Sequence, residues 1–264
     1  MYHVATPDSV REIVAAVRLL VTDFDDRATF PVVGQGGRTF AFFPTAITDN
    51  IPPLSPELTD AVCLLARLHI DPAAQPTLGV GEEDRGAMII ADILRQYRLP
   101  RTLARWTPSG GPGEIIVPLT NEYLAEGSTH IYLNGVRHGD RVLLVDDLIS
   151  TGGTMLALVH AIREAGADVV DVFTIGEKTE NGGRAAIAAA CGVQVKTLLA
   201  SDMREQAGEL RSRVLHVNLG RIAPDVLTEV AAHFMPGFCR AGSGDPTCAS
   251  LHDDSPTSTP ASLT

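Results

Sequence analysis

The sequence predicts an α/β fold with a mostly parallel central sheet flanked by helices. Strand-like and helix-like segments alternate along the chain. The run Val142-Leu143-Leu144-Val145 is short and wholly apolar, as suits a strand buried on both faces. A helical pattern at 153 to 165, stopped by Gly166, leads into a strand pattern at 169 to 175, which together make a right-handed βαβ unit. With 264 residues, 45% hydrophobic and 20% charged, the chain is long enough to bury a full core in one main domain.

The first helix is predicted over 8 to 24, where Val10, Ile13, Val14, Val17 and Leu20 share one face. The Gly-rich, aromatic stretch at 34 to 44 reads as a turn feeding a strand. Ser55-Pro56-Glu57 starts a helix that runs to about 68, since serine caps free amides and proline is preset for a first turn. A strand at 77 to 81, a helix at 86 to 97 and a strand at 102 to 106 precede a Gly- and Pro-rich loop at 107 to 114. Residues 115 to 133 read as a β-excursion with a polar middle. Beyond the βαβ unit come a helix at 183 to 190, a strand at 193 to 199 and a last helix at 223 to 233. No internal repeat is present. From residue 236 the chain turns to Ser, Thr, Pro, Gly and Asp and is predicted to be a disordered tail over 236 to 264, which leaves 1 to 235 as the folded domain.

Charge and targeting narrow the function. A net charge of −11 gives no general basic field for gripping nucleic acid. No segment reaches the roughly 18 apolar residues of a membrane span, and the N-terminus lacks a basic flank before an apolar stretch, so a cytoplasmic protein without membrane contact is predicted. Cys63, Cys191, Cys239 and Cys248 lie far apart without metal-ligand spacing; the first two read as small core residues and the tail pair as free thiols.

The chemistry concentrates in Val142 to Thr154: a buried strand predicted to stop at Asp146-Asp147, then Ser150-Thr151-Gly152-Gly153-Thr154 opening a helix. A strand end feeding a helix N-terminus gathers backbone N–H groups around one point, and glycines let that backbone approach a ligand closely. Ser150, Thr151 and Thr154 add hydroxyl donors, which makes an anion cradle suited to a monophosphate. Two carboxylates just before a phosphate loop would be repelled by phosphate, so they need another partner: ribose hydroxyls, directly or with Mg2+ between. Phosphate on the loop and a diol on the carboxylates describe a ribose 5-phosphate.

Four apolar residues, Asp-Asp, two apolar residues and Ser-Thr-Gly-Gly-Thr resemble, over thirteen positions, the phosphoribosyl pyrophosphate (PRPP) motif of type I phosphoribosyltransferases. The resemblance implies their fold, with a small hood built partly by residues 1 to 50 and a flexible β-loop, and a homodimer. It also implies transfer of the phosphoribosyl group to a purine base in salvage, with Mg2+ as helper and with Asp146 and Asp147 reaching the metal through ribose or water. Gly81 to Gly86 resembles the pyrophosphate loop of adenine phosphoribosyltransferases, which assigns pyrophosphate to Glu83, Asp84 and Arg85; Asp84 stands where alanine is usual. Arg105-Trp106-Thr107-Pro108 followed by Gly111-Pro112-Gly113-Glu114 is similar to a further segment of that family, with Trp106 in place of its lysine, so Arg105 is assigned to pyrophosphate too.

Glu122-Tyr123 resembles the Glu-Tyr of the adenine enzymes and makes Glu122 the acid/base residue, with Glu126 as a competing alignment. For the base, Phe40, Phe42 and Phe43 are stacking candidates, at least one of them core, and Phe43 is preferred. Lys178 is the other base contact: an ammonium donor favours a 6-oxo group, whereas adenine's amino group wants an acceptor. Adenine is the first expectation, with a 6-oxopurine or modified purine as the alternative. A non-catalytic PRPP-sensing regulator would carry a basic nucleic-acid module, which the first 30 residues, with Asp23, Asp25 and Asp26, are not.

Overall fold

Local chemistry starts most elements where the sequence places them in the computed structural model, which describes residues 7–33, 39–119, 130–234 and 238–239. Helix α1 (Pro7–Phe24) buries Val10, Ile13, Val14, Val17 and Leu20. A small hairpin of β1 (Phe30–Val33) and β2 (Thr39–Phe42) follows, then a single helical turn, α2 (Ala46–Asp49). Helix α3 (Pro56–Ala66) is capped as its sequence requires, with Leu58 N donating to Ser55 Oγ at 3.2 Å. Next come β3 (Leu78–Glu82), α4 (Ala87–Gln96) and β4 (Arg101–Ala104), and a second hairpin of β5 (Ile115–Pro118) and β6 (His130–Leu133).

The second half contains β7 (Arg141–Ile149), α5 (Gly153–Glu164), β8 (Asp168–Lys178), α6 (Gly183–Cys191), β9 (Lys196–Gln206), β10 (Glu209–Asn218), α7 (Pro224–Ala231) and β11 (Phe238–Cys239). The main sheet has the order β11-β10-β9-β8-β7-β3-β4, parallel from β9 through β4 and antiparallel at β10.

The central strand is buried on both faces. Leu143 and Val145 join Phe173 and Ile175 in a core under α1, α3, α4 and α7, while Val142 and Leu144 join Val172 in a second core under α5 and the β5–β6 hairpin. Each such side chain contributes about 1.5–3 kcal/mol by leaving water.

Several elements depart from the sequence expectation. The strand expected to stop before the carboxylates continues to Ile149, because β8 keeps pairing with it as far as Ile149↔Glu177, whereas β3 pairs only up to Val80↔Leu144. Strand β10 and the length of β9 were not foreseen. Their hairpin turns on Ala207 and Gly208, both at positive φ (51° and 82°), and alanine hides the usual Asn-Gly signal for such a turn. Turn α2 is too short to show a helical period. In the segment expected to be disordered, Phe238–Cys239 pairs with Val217 and Asn218 of β10; the remainder of 236 to 264 lies outside the described residues.

Candidate functional site

From β3 the chain crosses through α4 to β4 on one side, and from β7 it crosses through α5 to β8 on the other. The two helices leave on opposite faces, so a crevice opens beyond the carboxyl ends of β3 and β7, the place where open α/β sheets bind ligands. A cleft lies there, and Asp146, Asp147 and all of Ser150 to Thr154, the residues singled out by the sequence, line it.

The loop before α5 is shaped for a close ligand. Gly152 has φ +87°, and a Cβ there would lie 3.0 Å from Gly183 O, so only glycine fits. No side chain caps the α5 N-terminus at Gly152, which leaves its amides directed at the cleft. Asn181 Nδ2 donates to Ser150 Oγ at 2.8 Å and holds that hydroxyl in place.

The paired carboxylates sit at the buried end of the cleft. Asp146 is 6% exposed, and its Oδ1 accepts from Asp147 N at 2.9 Å; Asp147 Oδ1 accepts from Leu148 N at 2.6 Å. Burial pushes Asp146 up to about 7 and Asp147 well above the carboxylate range, with Asp146 adding repulsion on Asp147. Asp147 packs on Gly86, where a Cβ would fall 2.4 Å from its carboxyl group. Such carboxyls are best ionised when hydroxyl donors or a cation reach them.

At the 82–86 turn the expectation is partly corrected. Asp84 and Arg85 line the cleft, but Glu83 turns away and accepts Trp106 N at 2.7 Å, because successive side chains at a strand end alternate faces. The neighbouring Glu82 lines the cleft instead, and burial beside Asp146 raises it well above the usual range. Arg105 is also displaced from its assignment: it bonds Glu114 at 2.9 Å and Asn134, bracing the 107–114 loop, and does not line the cleft. Trp106 packs against the second core.

On the base side the aromatic assignment shifts by one residue, while Lys178 keeps its place. Phe43 is fully buried against Phe24, with ring centroids 6.2 Å apart, because the alternation that turns Phe42 toward the cleft turns Phe43 into the core. Lys178, at the end of β8, lines the cleft while only 2% exposed; its Nζ lies 3.4 Å from Ala41 O and 5.5 Å from the Phe42 ring centroid. Burial lowers it to about 8, so it stays an ammonium at neutral pH. Asp49 and Thr48 of α2 line the same end and carried no sequence signal. Glu122 and Glu126 lie outside the described residues, as does the side chain of Phe40.

Among the described residues no three His, Cys, Asp or Glu side chains gather as a metal cage, and no helix is long and apolar enough to cross a membrane. The cleft carboxylates nevertheless suit Mg2+, a hard ion that typically takes one or two carboxylates and completes its shell with ligand phosphates and water.

Residues 74–186 match the family model of the phosphoribosyl transferase domain. The chain is 34% identical over 175 residues to the hypoxanthine/guanine phosphoribosyltransferase of Methanothermobacter marburgensis, covering 66% of this chain and 86% of that protein. It is 36% identical to HGPRTase-like protein 3 of Haloterrigena turkmenica, covering 55% and 75%. Among solved structures it is similar to adenine phosphoribosyltransferase from Rhodothermus marinus, with TM-score 0.54, 25% identity, and coverage of 70% of this chain and 98% of that one.

Proposed function

This chain belongs to the type I phosphoribosyltransferase family, and from that premise we propose that it transfers the 5-phosphoribosyl group of PRPP to a 6-oxopurine, hypoxanthine or guanine, with Mg2+. The observation that carries the reading is one cleft lined by the Asp146-Asp147 pair, the Ser150–Thr154 loop and a buried cationic Lys178. The names of the relatives from Methanothermobacter marburgensis and Haloterrigena turkmenica point to the same bases. Adenine, the first expectation from sequence, is kept as the second reading by the likeness to the Rhodothermus marinus enzyme. Its 6-amino group, however, would face an ammonium donor at Lys178.

In this reading the loop amides and hydroxyls of Ser150 to Thr154 hold the 5-phosphate, and Asp146 and Asp147 accept from the ribose hydroxyls. Arg85 approaches the pyrophosphate, where its planar guanidinium pairs with phosphate oxygens. Lys178 donates to the 6-oxo group while Phe42 offers a ring face to the base. A base nitrogen attacks the anomeric carbon as the bond to pyrophosphate breaks and its electron pair leaves with pyrophosphate. The nitrogen's proton passes to a carboxylate of the 120–129 segment, Glu122 by first assignment and Glu126 by second. Bound Mg2+ would neutralise charge on the leaving group. Most of the catalysis is positioning and charge stabilisation. The homodimer implied by the family belongs to this proposal as well.

The test is pyrophosphate release from PRPP and Mg2+ with adenine, hypoxanthine, guanine and xanthine, using the native chain and an Asp146→Asn/Asp147→Asn variant. Hypoxanthine or guanine is expected to be the preferred base, and the double variant to be silent while retaining its circular dichroism. Turnover of adenine alone would overturn the base assignment; near-normal turnover in the double variant would overturn the site.

A further inference from the structure

The hood meets the pyrophosphate loop at Arg85. Asp49, the last residue of α2, has a side chain only 6% exposed, although it lies at the edge of the cleft. Its Oδ1 accepts from Arg85 Nη1 at 2.9 Å. Its Oδ2 accepts from Thr48 Oγ1 at 2.5 Å and from Thr45 N at 3.3 Å. The turn that carries it is anchored in turn by buried Asp23 of α1, whose carboxylate accepts Ala46 N at 2.9 Å and Ile47 N at 3.1 Å. Asn50, next in the chain, donates to the Arg85 carbonyl at 3.3 Å. A fixed line of hydrogen bonds therefore runs from α1 through α2 to the guanidinium of Arg85.

Arg85 needs such a guide. Its side chain is 55% exposed, and a long exposed arginine loses rotamer freedom when it is held in one place. The other carboxylate within reach, Asp84, is 4.0 Å from Nε and itself half exposed, so it restrains little. With Asp49 in contact, the guanidinium lies 4.9 Å from the Phe42 ring centroid, where the base-stacking face meets the 83–86 turn. A guanidinium has five N–H donors, and Asp49 engages it through Nη1 alone, so the remaining fork can still meet an anion.

We propose that Asp49 is a positioning residue for this transferase: it acts through Arg85, presetting the guanidinium for the pyrophosphate of PRPP and tying the base-side hood to the pyrophosphate loop. The inference rests on the reading of Arg85 given under the proposed function. No covalent step is assigned to Asp49, and it touches no reacting atom.

The experiment is a double-mutant cycle on PRPP binding, followed by calorimetry with Mg2+ present, on Arg85→Met, Asp49→Asn and the double variant. Asn keeps the shape and the acceptor toward Thr48 but loses the charge that holds the guanidinium. Each single variant is expected to weaken PRPP by about tenfold or more, and the double variant to bind no worse than Arg85→Met alone. A second readout, KM for PRPP against KM for the base in the Asp49→Asn enzyme, should show the PRPP value rising by that factor and the base value moving less than about threefold, a split that general unfolding would not give. Additive losses, unchanged binding or tighter binding in Asp49→Asn, with Arg85→Met impaired, would overturn the role of Asp49 alone. Normal PRPP binding by Arg85→Met would overturn the assignment of Arg85 and this inference with it.

Discussion

Lys178 carries its charge where few lysines do, with its ammonium near Ala41 O and two phenyl rings, Phe43 at 5.0 Å and Phe42 at 5.5 Å. Burial lowers its affinity for the proton to a pKa of about 8, and the site keeps the charge at neutral pH because carboxylates such as Glu180 and Asp49 act on it. For a 6-oxopurine, kcat/KM should therefore be sustained below pH 8 and fall above it, as the free enzyme loses the proton that the base requires. Lys178→Met keeps the apolar stem and removes the donor. It should lower kcat/KM for hypoxanthine or guanine by about 10- to 100-fold, the loss expected for a hydrogen bond from a charged group, and leave PRPP binding within about twofold. A variant whose kcat/KM is unchanged and still falls above pH 8 would refute the role.

At the scale of elements, the turn between β3 and α4 and the end of β7 fit together through the absence of a single methyl group. A Cβ at position 86 would meet the Asp147 carboxyl at 2.4 Å, within a turn whose own backbone is tied by Ala87 N to Asp84 O and Ile90 N to Gly86 O. Gly86→Ala must displace either the start of α4 or the carboxylate. PRPP affinity, read by calorimetry, should fall by tenfold or more while the melting temperature falls by only a few degrees, since the clash lies at a cleft edge outside both cores. Retention of native PRPP affinity would show that Asp147 need not occupy its observed position.

For the whole molecule, His69 connects the segment after α3 to β10: Nε2 lies 2.6 Å from Asn218 O, and the ring is 5.4 Å from that of Phe173 of β8. It is buried, and desolvation depresses it from 6.5 to about 4, against the opposing pull of the Asn218 carbonyl. Both states are neutral above pH 6.5, so no stability is at stake there. Below that value the unfolded chain takes up a proton that the folded one refuses, and stability falls until the folded pKa is reached. The loss between pH 6.5 and 4 should be about 3 kcal/mol, at roughly 1.4 kcal/mol per unit. Urea unfolding at pH 7 and pH 4.5 measures it, and His69→Gln, which keeps a donor for Asn218 O, should remove most of that part of the slope. An unchanged slope would place the acid sensitivity elsewhere.

The stretch from Val142 to Thr154 was legible because its physics is local: an apolar strand, two carboxylates and a helix N-terminus occur in one continuous run. The same holds for Ser55, which caps the residues that immediately follow it. Sequence alone therefore determined the α/β class, the family and the strand–turn–helix run that ends in the Ser150–Thr154 loop. Tertiary structure decided which of two adjacent residues faces the cleft, Glu82 or Glu83 and Phe42 or Phe43, because strand side chains alternate and a shift of one residue changes the face on which a side chain lies. It also placed Arg105 on Glu114 and brought Asp49 to Arg85, contacts that depend on where distant segments pack and leave no mark in the spacing of the chain.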